Sequence, residues 1–373
     1  MHRLAALLPF CLLAACSEMP PQGDTPYTPT AGMLKVLAER QAMHAKEPAR
    51  ISVDEARDVP SLSDAAATMP TVVGLPPPDI EVKQFTQPTA SGEAGPLEAR
   101  LYRPALAKDT PVIILFPSGT WASGTLDQSD DLARQLCARS GWAVVTVRTR
   151  LAPEAPFPSE HDDAMAAYQW ARSQLRDWGA DPTRVVLAGE GPGANLALST
   201  ALLARDSIAA GRPVPLPDYL LLLTPWAGTA TNTPSMSENS GSRPLTRSTV
   251  RWSQNLYASD DLRNPRIDLA ARTDFQQMPP ALIILAEIDP MRSSGEGLAA
   301  RMAAAGVRTE TRLYQGVTAD FFGLGATVPE ASIAEDDAVR IMRAYFARND
   351  VPVLRGPLRR PSRPRNRDHF PIK

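Results

Sequence analysis

Short apolar runs alternate with longer amphipathic stretches through most of this chain. Buried strands are expected at Val112–Phe116, Ala143–Val147, Val185–Ala188, Tyr219–Leu223, Ala281–Ala286 and Thr309–Leu313. Each run has the length and apolar content of a strand covered on both faces. Helices are expected near 127–139, 161–177, 192–205, 246–258, 292–306 and 331–347. In the last of these, Ala334, Ala338, Met342 and Tyr345 share one face. Strand–helix alternation predicts a mostly parallel central sheet flanked by helices, with ligands beyond the carboxyl ends of its strands. Residues 79 to 104 alternate polar and apolar and predict a strand pair. Ahead of them, Met33, Val36-Leu37 and Met43 recur at helical spacing, and Val53-Asp54-Glu55-Ala56 starts another short helix.

The two ends break this rhythm. Met1-His2-Arg3 is followed by an apolar run, Leu4 to Ala15, too short to span a membrane. Leu13-Ala14-Ala15-Cys16 resembles a bacterial lipoprotein signal, which implies cleavage before Cys16 and its acylation. The alternative is a secretory signal cut after Ala15. Ser17 after the cysteine implies, by the same resemblance, a bacterial envelope protein held at the outer membrane and facing the periplasm. From Arg355 to Lys373 there are six arginines, one lysine, four prolines and a single aspartate. That tail reads as disordered, either an electrostatic contact for an anionic partner or a solubilising extension. The expected segments are a signal at 1–15, a flexible tether at 16–30, an N-terminal helical cap at 31–78, a catalytic-type domain at 79–350 and a basic tail at 351–373.

Composition narrows the functions. With 373 residues, 43% hydrophobic and 21% charged, the chain can bury a large core, and a net charge of −2 gives no argument for nucleic acid. Of three cysteines, Cys11 leaves with the signal and Cys16 takes the acyl chains, so Cys137 stands alone as a small core residue. No cysteine–histidine spacing suggests a metal, and no cofactor is expected.

The most specific stretch is Arg150-Leu151-Ala152-Pro153-Glu154-Ala155-Pro156-Phe157-Pro158, with Asp163-Ala164 and Trp170 after it. Asp181-Pro182-Thr183-Arg184, Met278-Pro279-Pro280-Ala281, Asp289-Pro290 and Gly316-Val317-Thr318 follow in order. Together these blocks resemble the bacterial hormone-sensitive-lipase-like carboxylesterases. The resemblance implies an α/β-hydrolase fold with a small N-terminal helical cap. It also implies a serine nucleophile at a strand-to-helix elbow, a histidine base, an aspartate acid and an oxyanion hole of backbone N–H groups.

Carried over position by position, the chemistry is incomplete. The elbow reads Gly189-Glu190-Gly191-Pro192-Gly193, so Gly191 stands at the nucleophile position. Pro192, where the family donates an oxyanion N–H, has none to give. The base position is Ala319; the acid, Asp289, is retained. The loop after Phe116 reads Pro117-Ser118-Gly119-Thr120 in place of H-G-G-G, leaving Gly119 and Thr120 as a partial anion site. His161 is expected to be structural or on the surface, and Glu190 to point away from the old centre. The leading expectation is a non-catalytic esterase-like lipoprotein that binds an acyl or ester-like ligand, or a protein partner. The alternative is an active carboxylic-ester hydrolase with relocated residues, drawn from Ser118, Ser123, Glu190 and Asp289. A third reading, overlapping the first, is an assembly scaffold.

Overall fold

A computed structural model describes residues 20–72, 79–87, 97–105 and 108–349. The expected signal, all of the basic tail at 351–373 and the acylation position Cys16 lie outside the described residues. Eight strands form the central sheet: β1 (Ile80–Gln87), β2 (Leu97–Pro104), β3 (Thr110–Phe116), β4 (Ala143–Val147), β5 (Ala180–Glu190), β6 (Tyr219–Leu223), β7 (Ala281–Ile288) and β8 (Thr309–Thr318). Their order is β8-β7-β6-β5-β3-β4-β2-β1. From β8 to β4 all neighbours are parallel, and β1 and β2 are antiparallel additions at one edge.

Both faces are covered. Val112, Ile114 and Phe116 enter one apolar cluster and Ile113 and Leu115 the other, which is the period of two expected for a doubly buried strand. The main helices are α1 (Ala31–Ala42), α2 (Val53–Arg57), α3 (Leu62–Ala67), α4 (Asp130–Ser140), α5 (Ser159–Gln174), α6 (Pro192–Ala209), α7 (Pro234–Glu238), α8 (Arg247–Ala258), α9 (Arg292–Ala304) and α10 (Pro329–Asn349). Cys137, on α4, is buried, and burial pushes its thiol up to about 12. It is an inert core group.

Helices α1 to α3 make the cap. Thr30 caps α1, and Ser52 and Ser61 close capping boxes with Glu55 and Asp64 at α2 and α3. On α1 the buried positions are Met33, Val36, Leu37 and Arg40, an apolar stripe that ends in a charge. Arg57 ties the cap to the body: its guanidinium donates to Ala122 O at 3.1 Å, to Ala152 O at 3.0 Å and to the Glu154 carboxylate.

Residues 20–30 differ from the flexible tether read in the sequence. Gly23–Asp24 pairs with Gly241–Ser242 in a two-residue ribbon. Thr25 donates to Asn239 Oδ1 at 2.7 Å and Tyr27 to Glu238 Oε2 at 2.8 Å. The Pro- and Thr-rich composition concealed this because the partners lie over 200 residues away and are polar, leaving no apolar period to read.

Candidate functional site

Sheet register builds the site. Phe116 at the end of β3 lies opposite Gly189 on β5, which places the loop after β3 beside the elbow. Thr318 on β8 lies opposite Ile288 on β7, so Ala319 and Asp289 leave the sheet side by side. Gly191, Asp289 and Ala319 thus all lie at the carboxyl ends of parallel strands.

The elbow itself is intact. Gly191 has φ 56° and ψ −121°, between the last residue of β5 and the first of α6. Its N–H donates to Leu223 O at 2.9 Å, and its carbonyl accepts from Trp226 N at 3.1 Å. Gly189 and Gly193 are required by close approach: a Cβ on the first would lie 2.1 Å from Gly193 O, and on the second 2.4 Å from Phe116 O. Gly191 differs. A Cβ there would have 3.6 Å to its nearest neighbour, Trp226 Nε1. Space for a side chain survives at the nucleophile position, though the backbone remains one that side chains adopt only under strain. Pro192 occupies the first turn of α6, where an N–H would lack an intrahelical partner anyway.

Asp289 directly follows β7. It is buried, and its Oδ1 accepts from Met291 N at 2.7 Å. Burial pushes its carboxyl up to about 7, with Asp320 adding to the rise and the Met291 bond and Arg292 opposing it. Ala319, at the base position, is 2% exposed and packs in the apolar cluster that includes Trp226 and Met291. His161 is buried and committed elsewhere. Its Nδ1 meets the Tyr257 hydroxyl at 2.6 Å, and its Nε2 meets Arg266 O at 2.9 Å and Asn195 Oδ1 at 3.2 Å. The imidazole stacks on Trp121, and burial depresses its pKa to about 3, so it is a neutral structural group.

The loop after β3 folds on itself. Gly119 and Gly124 take φ of 137° and 141°, and a Cβ on Gly119 would lie 2.2 Å from Ser123 O. Thr120 N donates to Ser123 O at 2.8 Å, and Trp121 N to Ser253 Oγ at 2.9 Å. The partial anion site expected from Gly119 and Thr120 is therefore reduced, because the Thr120 N–H is spent inside the loop.

A cavity of about 90 Å³ lies between cap and elbow. Ser118, Gly119, Thr120, Glu190, Asp320 and Arg40 line it, with cap residues around Pro60 closing one side. Gly191, Asp289 and Ala319 are not in its lining. Glu190 lines this cavity. Burial holds its carboxyl well above the usual range, Asp320 adds to this and Ser118 opposes it. Asp320 is part-exposed, with φ 59°, and burial lifts it to about 6 against the pull of Arg40. Arg40 donates from Nε to Pro60 O at 2.7 Å. Among the described residues, no group of three or more His, Cys, Asp and Glu is placed to hold a metal ion.

Sequence reasoning missed Arg40 and Asp320. Arg40 was findable: it occupies the next position of the Met33, Val36, Leu37 stripe, where a charge must be buried. Asp320 was masked by the missing histidine beside it.

Known proteins share this architecture. The family model for the alpha/beta hydrolase fold matches residues 113–323. A carboxylic ester hydrolase of Mycobacterium tuberculosis, LipN, is 32% identical over 74% of this chain and 73% of its own length. The chain belongs to the hormone-sensitive-lipase-like carboxylesterase family. Esterase LipI of the same organism is 33% identical over 68% of this chain and 80% of its own. Among solved structures, a thermostable esterase from Pseudomonas putida superposes with a TM-score of 0.74 at 27% identity, covering 86% of this chain and 98% of that one. The relatives named here are esterases by name, and this member carries the family's fold with Gly191 at the turn between β5 and α6 and Ala319 directly after β8.

Proposed function

We propose that this esterase-family member is a lipid-anchored protein of the bacterial cell envelope that binds a ligand or partner and does not turn over esters. One observation carries the reading: the elbow keeps its backbone geometry and room for a side chain, yet holds Gly191 followed by Pro192. The attacking oxygen and one oxyanion donor are lost together. Ala319 removes the general base in a separate segment, and its place is filled by apolar packing. Losing one oxyanion donor alone costs roughly 10²–10³ in rate. Because triad members act as a unit, losing two leaves only residual catalysis. Attachment through acylated Cys16 is part of the proposal, with the membrane's periplasmic face as the site. No helix among the described residues is long and apolar enough to cross a membrane.

The test is hydrolysis of short-chain nitrophenyl esters by the mature chain, with fluorophosphonate labelling and peptide mapping alongside. Hydrolysis at the buffer rate and no labelled residue are expected. Turnover near that of ordinary esterases overturns the reading, and a label on Ser118 or Ser123 would establish relocated chemistry in its place. For the anchor, Cys16→Ser should move the protein from the membrane to the soluble fraction. Retention at the membrane would refute lipidation as the attachment.

A further inference from the structure

We infer that the face formed by the strap at residues 20–24 and the start of α8 rests on the bilayer, with lipid headgroups as its partner. The inference rests on the proposed anchor at Cys16 and goes beyond it, because an anchor alone leaves the orientation of the body open.

Chain length sets the distance. Gly23 N donates to Pro20 O and Arg243 N to Gln22 O, each at 2.8 Å, so the chain is held to the body from residue 20. Four residue steps separate Cys16 from Pro20, an extended reach of about 14 Å. Farther along, Arg292 donates to the Tyr27 hydroxyl at 3.2 Å and to the Glu238 carboxylate at 2.6 Å, and Thr30 N donates to Gly316 O at 2.9 Å. Were the chain first held at Thr30, the reach would be about 48 Å, and any face could turn to the membrane. The ribbon is built for close approach: Gly23 has φ 74°, and a Cβ there would run into Gly241 O.

The surface at this point suits headgroups. Arg247 N donates to Ser240 O at 3.0 Å, which sets the start of α8 against the ribbon. α8 carries Arg247 and Arg251 four residues apart on one face and has no acid in its length. Trp252 beside them is half-buried against the core. Guanidinium groups pair with phosphate oxygens, and an indole suits the boundary between apolar and polar layers. Of the acids at this end, Glu47 is matched by Arg50 and Glu238 by Arg292, and Asp24 is outnumbered by Arg247 and Arg251. The far side of the body is well separated. Asn239, next to the ribbon, donates to Asp289 O at the carboxyl ends of the strands. α6 runs 18 residues away from the elbow, about 27 Å, to Ile208 near its end.

The experiment uses the acylated full chain in phosphatidylcholine vesicles containing phosphatidylglycerol. Ser237→Cys and Ile208→Cys, both at exposed positions, each take a fluorophore, since Cys137 is buried. Energy transfer to a headgroup-linked acceptor should be several-fold greater from residue 237. Gly23→Val, which opens the ribbon, should shrink that difference. Should it fail to fold by circular dichroism, Thr25→Ala with Tyr27→Phe replaces it. Equal transfer from the two sites, or a difference that opening the ribbon leaves unchanged, overturns the inference. The headgroup contact is read without the anchor, by sedimenting the Cys16→Ser chain with the same vesicles at low salt. Arg247→Gln with Arg251→Gln should weaken binding about 25-fold, about fivefold per charge. Arg308→Gln with Arg312→Gln, at the amino-terminal end of β8, should change it little. Equal losses in the two pairs also overturn the inference. The mass of the N-terminal peptide separates the two readings. An unacylated Cys16 refutes the anchor, whereas an acylated chain with no preferred face refutes this inference alone.

Discussion

Asp289 offers a direct measurement of what burial without an ion partner does to a carboxyl at the proposed acid position. In a working triad the acid's charge is balanced by the imidazolium it orients. Here the carboxyl is buried with one backbone N–H bond and no base. Its value in the folded chain, about 7, stands above its ordinary 3.8. The folded chain therefore holds this proton more tightly than the unfolded chain. The stability so gained is complete below pH 4 and is lost as pH rises through about 7. At about 1.4 kcal/mol per tenfold change in proton affinity, the full loss at alkaline pH is about 4 kcal/mol. Of this, about 2–3 kcal/mol falls between pH 5 and pH 8. Asp289→Asn keeps an oxygen for Met291 N–H and cannot ionise. Urea unfolding of both proteins at pH 5 and pH 8 isolates the effect, since other groups enter both curves. The advantage of the asparagine variant should grow by about 2–3 kcal/mol between the two pH values, or about 4 °C in midpoint temperature for a chain of this size. An advantage that does not change with pH would show that Asp289 is already paired or already neutral, and would refute the account of its burial.

The fold was legible because it is written in apolar periodicity. Each of the six buried runs read from the sequence lies in a strand, and the helices fall between them. The ends of β5 and β8 were read short. β5 begins at Ala180, through Asp181-Pro182-Thr183-Arg184, a polar stretch that pairs only at its edge. β8 continues past Leu313 to Thr318 through an irregular register. Strand ends with polar side chains carry no burial signal. The small helix α7 was missed for the same reason: five residues cannot show a period of 3.6.

The site was legible where family blocks fix positions and illegible where it depends on distance between segments. Gly191 and Pro192 lie at the turn from β5 to α6, Asp289 directly follows β7 and Ala319 directly follows β8. The cavity does not follow from motif order, because it joins the cap helix α1 to the loop after β3 and the residue before the elbow. Glu190 is still within β5, paired with Leu223, and it lines the cavity beside Ser118, which Gly191, Asp289 and Ala319 do not line.

Three further expectations follow from the packing. Gly189→Ala should destabilise the chain more than Gly191→Ala in urea titration: the first drives a Cβ to 2.1 Å from Gly193 O, the second meets only backbone strain of about 1–3 kcal/mol. Equal losses would mean the elbow is looser than its geometry. Arg57→Ala should cost about 1–3 kcal/mol and speed proteolysis within residues 31–68, since its charged bonds to Ala122 O and Ala152 O fasten the cap. An unchanged cleavage rate would show the cap held by its apolar contacts alone. The third restores chemistry, with Gly191→Ser, Pro192→Ala and Ala319→His combined. The serine has room, and the alanine returns an N–H to the elbow. The histidine must force space in a buried cluster, an overpacking cost of about 1–3 kcal/mol. The introduced imidazole would then pair with Asp289, so the loss of stability between pH 5 and pH 8 should shrink. Fluorophosphonate should label residue 191, while turnover stays roughly 10²–10³ below that of intact esterases, because the Thr120 N–H remains bound to Ser123 O. A folded triple variant that neither labels nor loses the pH slope would place the defect in the position of Trp226 and the loop after β3, and would refute the view that the elbow kept its shape and lost only its reactive groups.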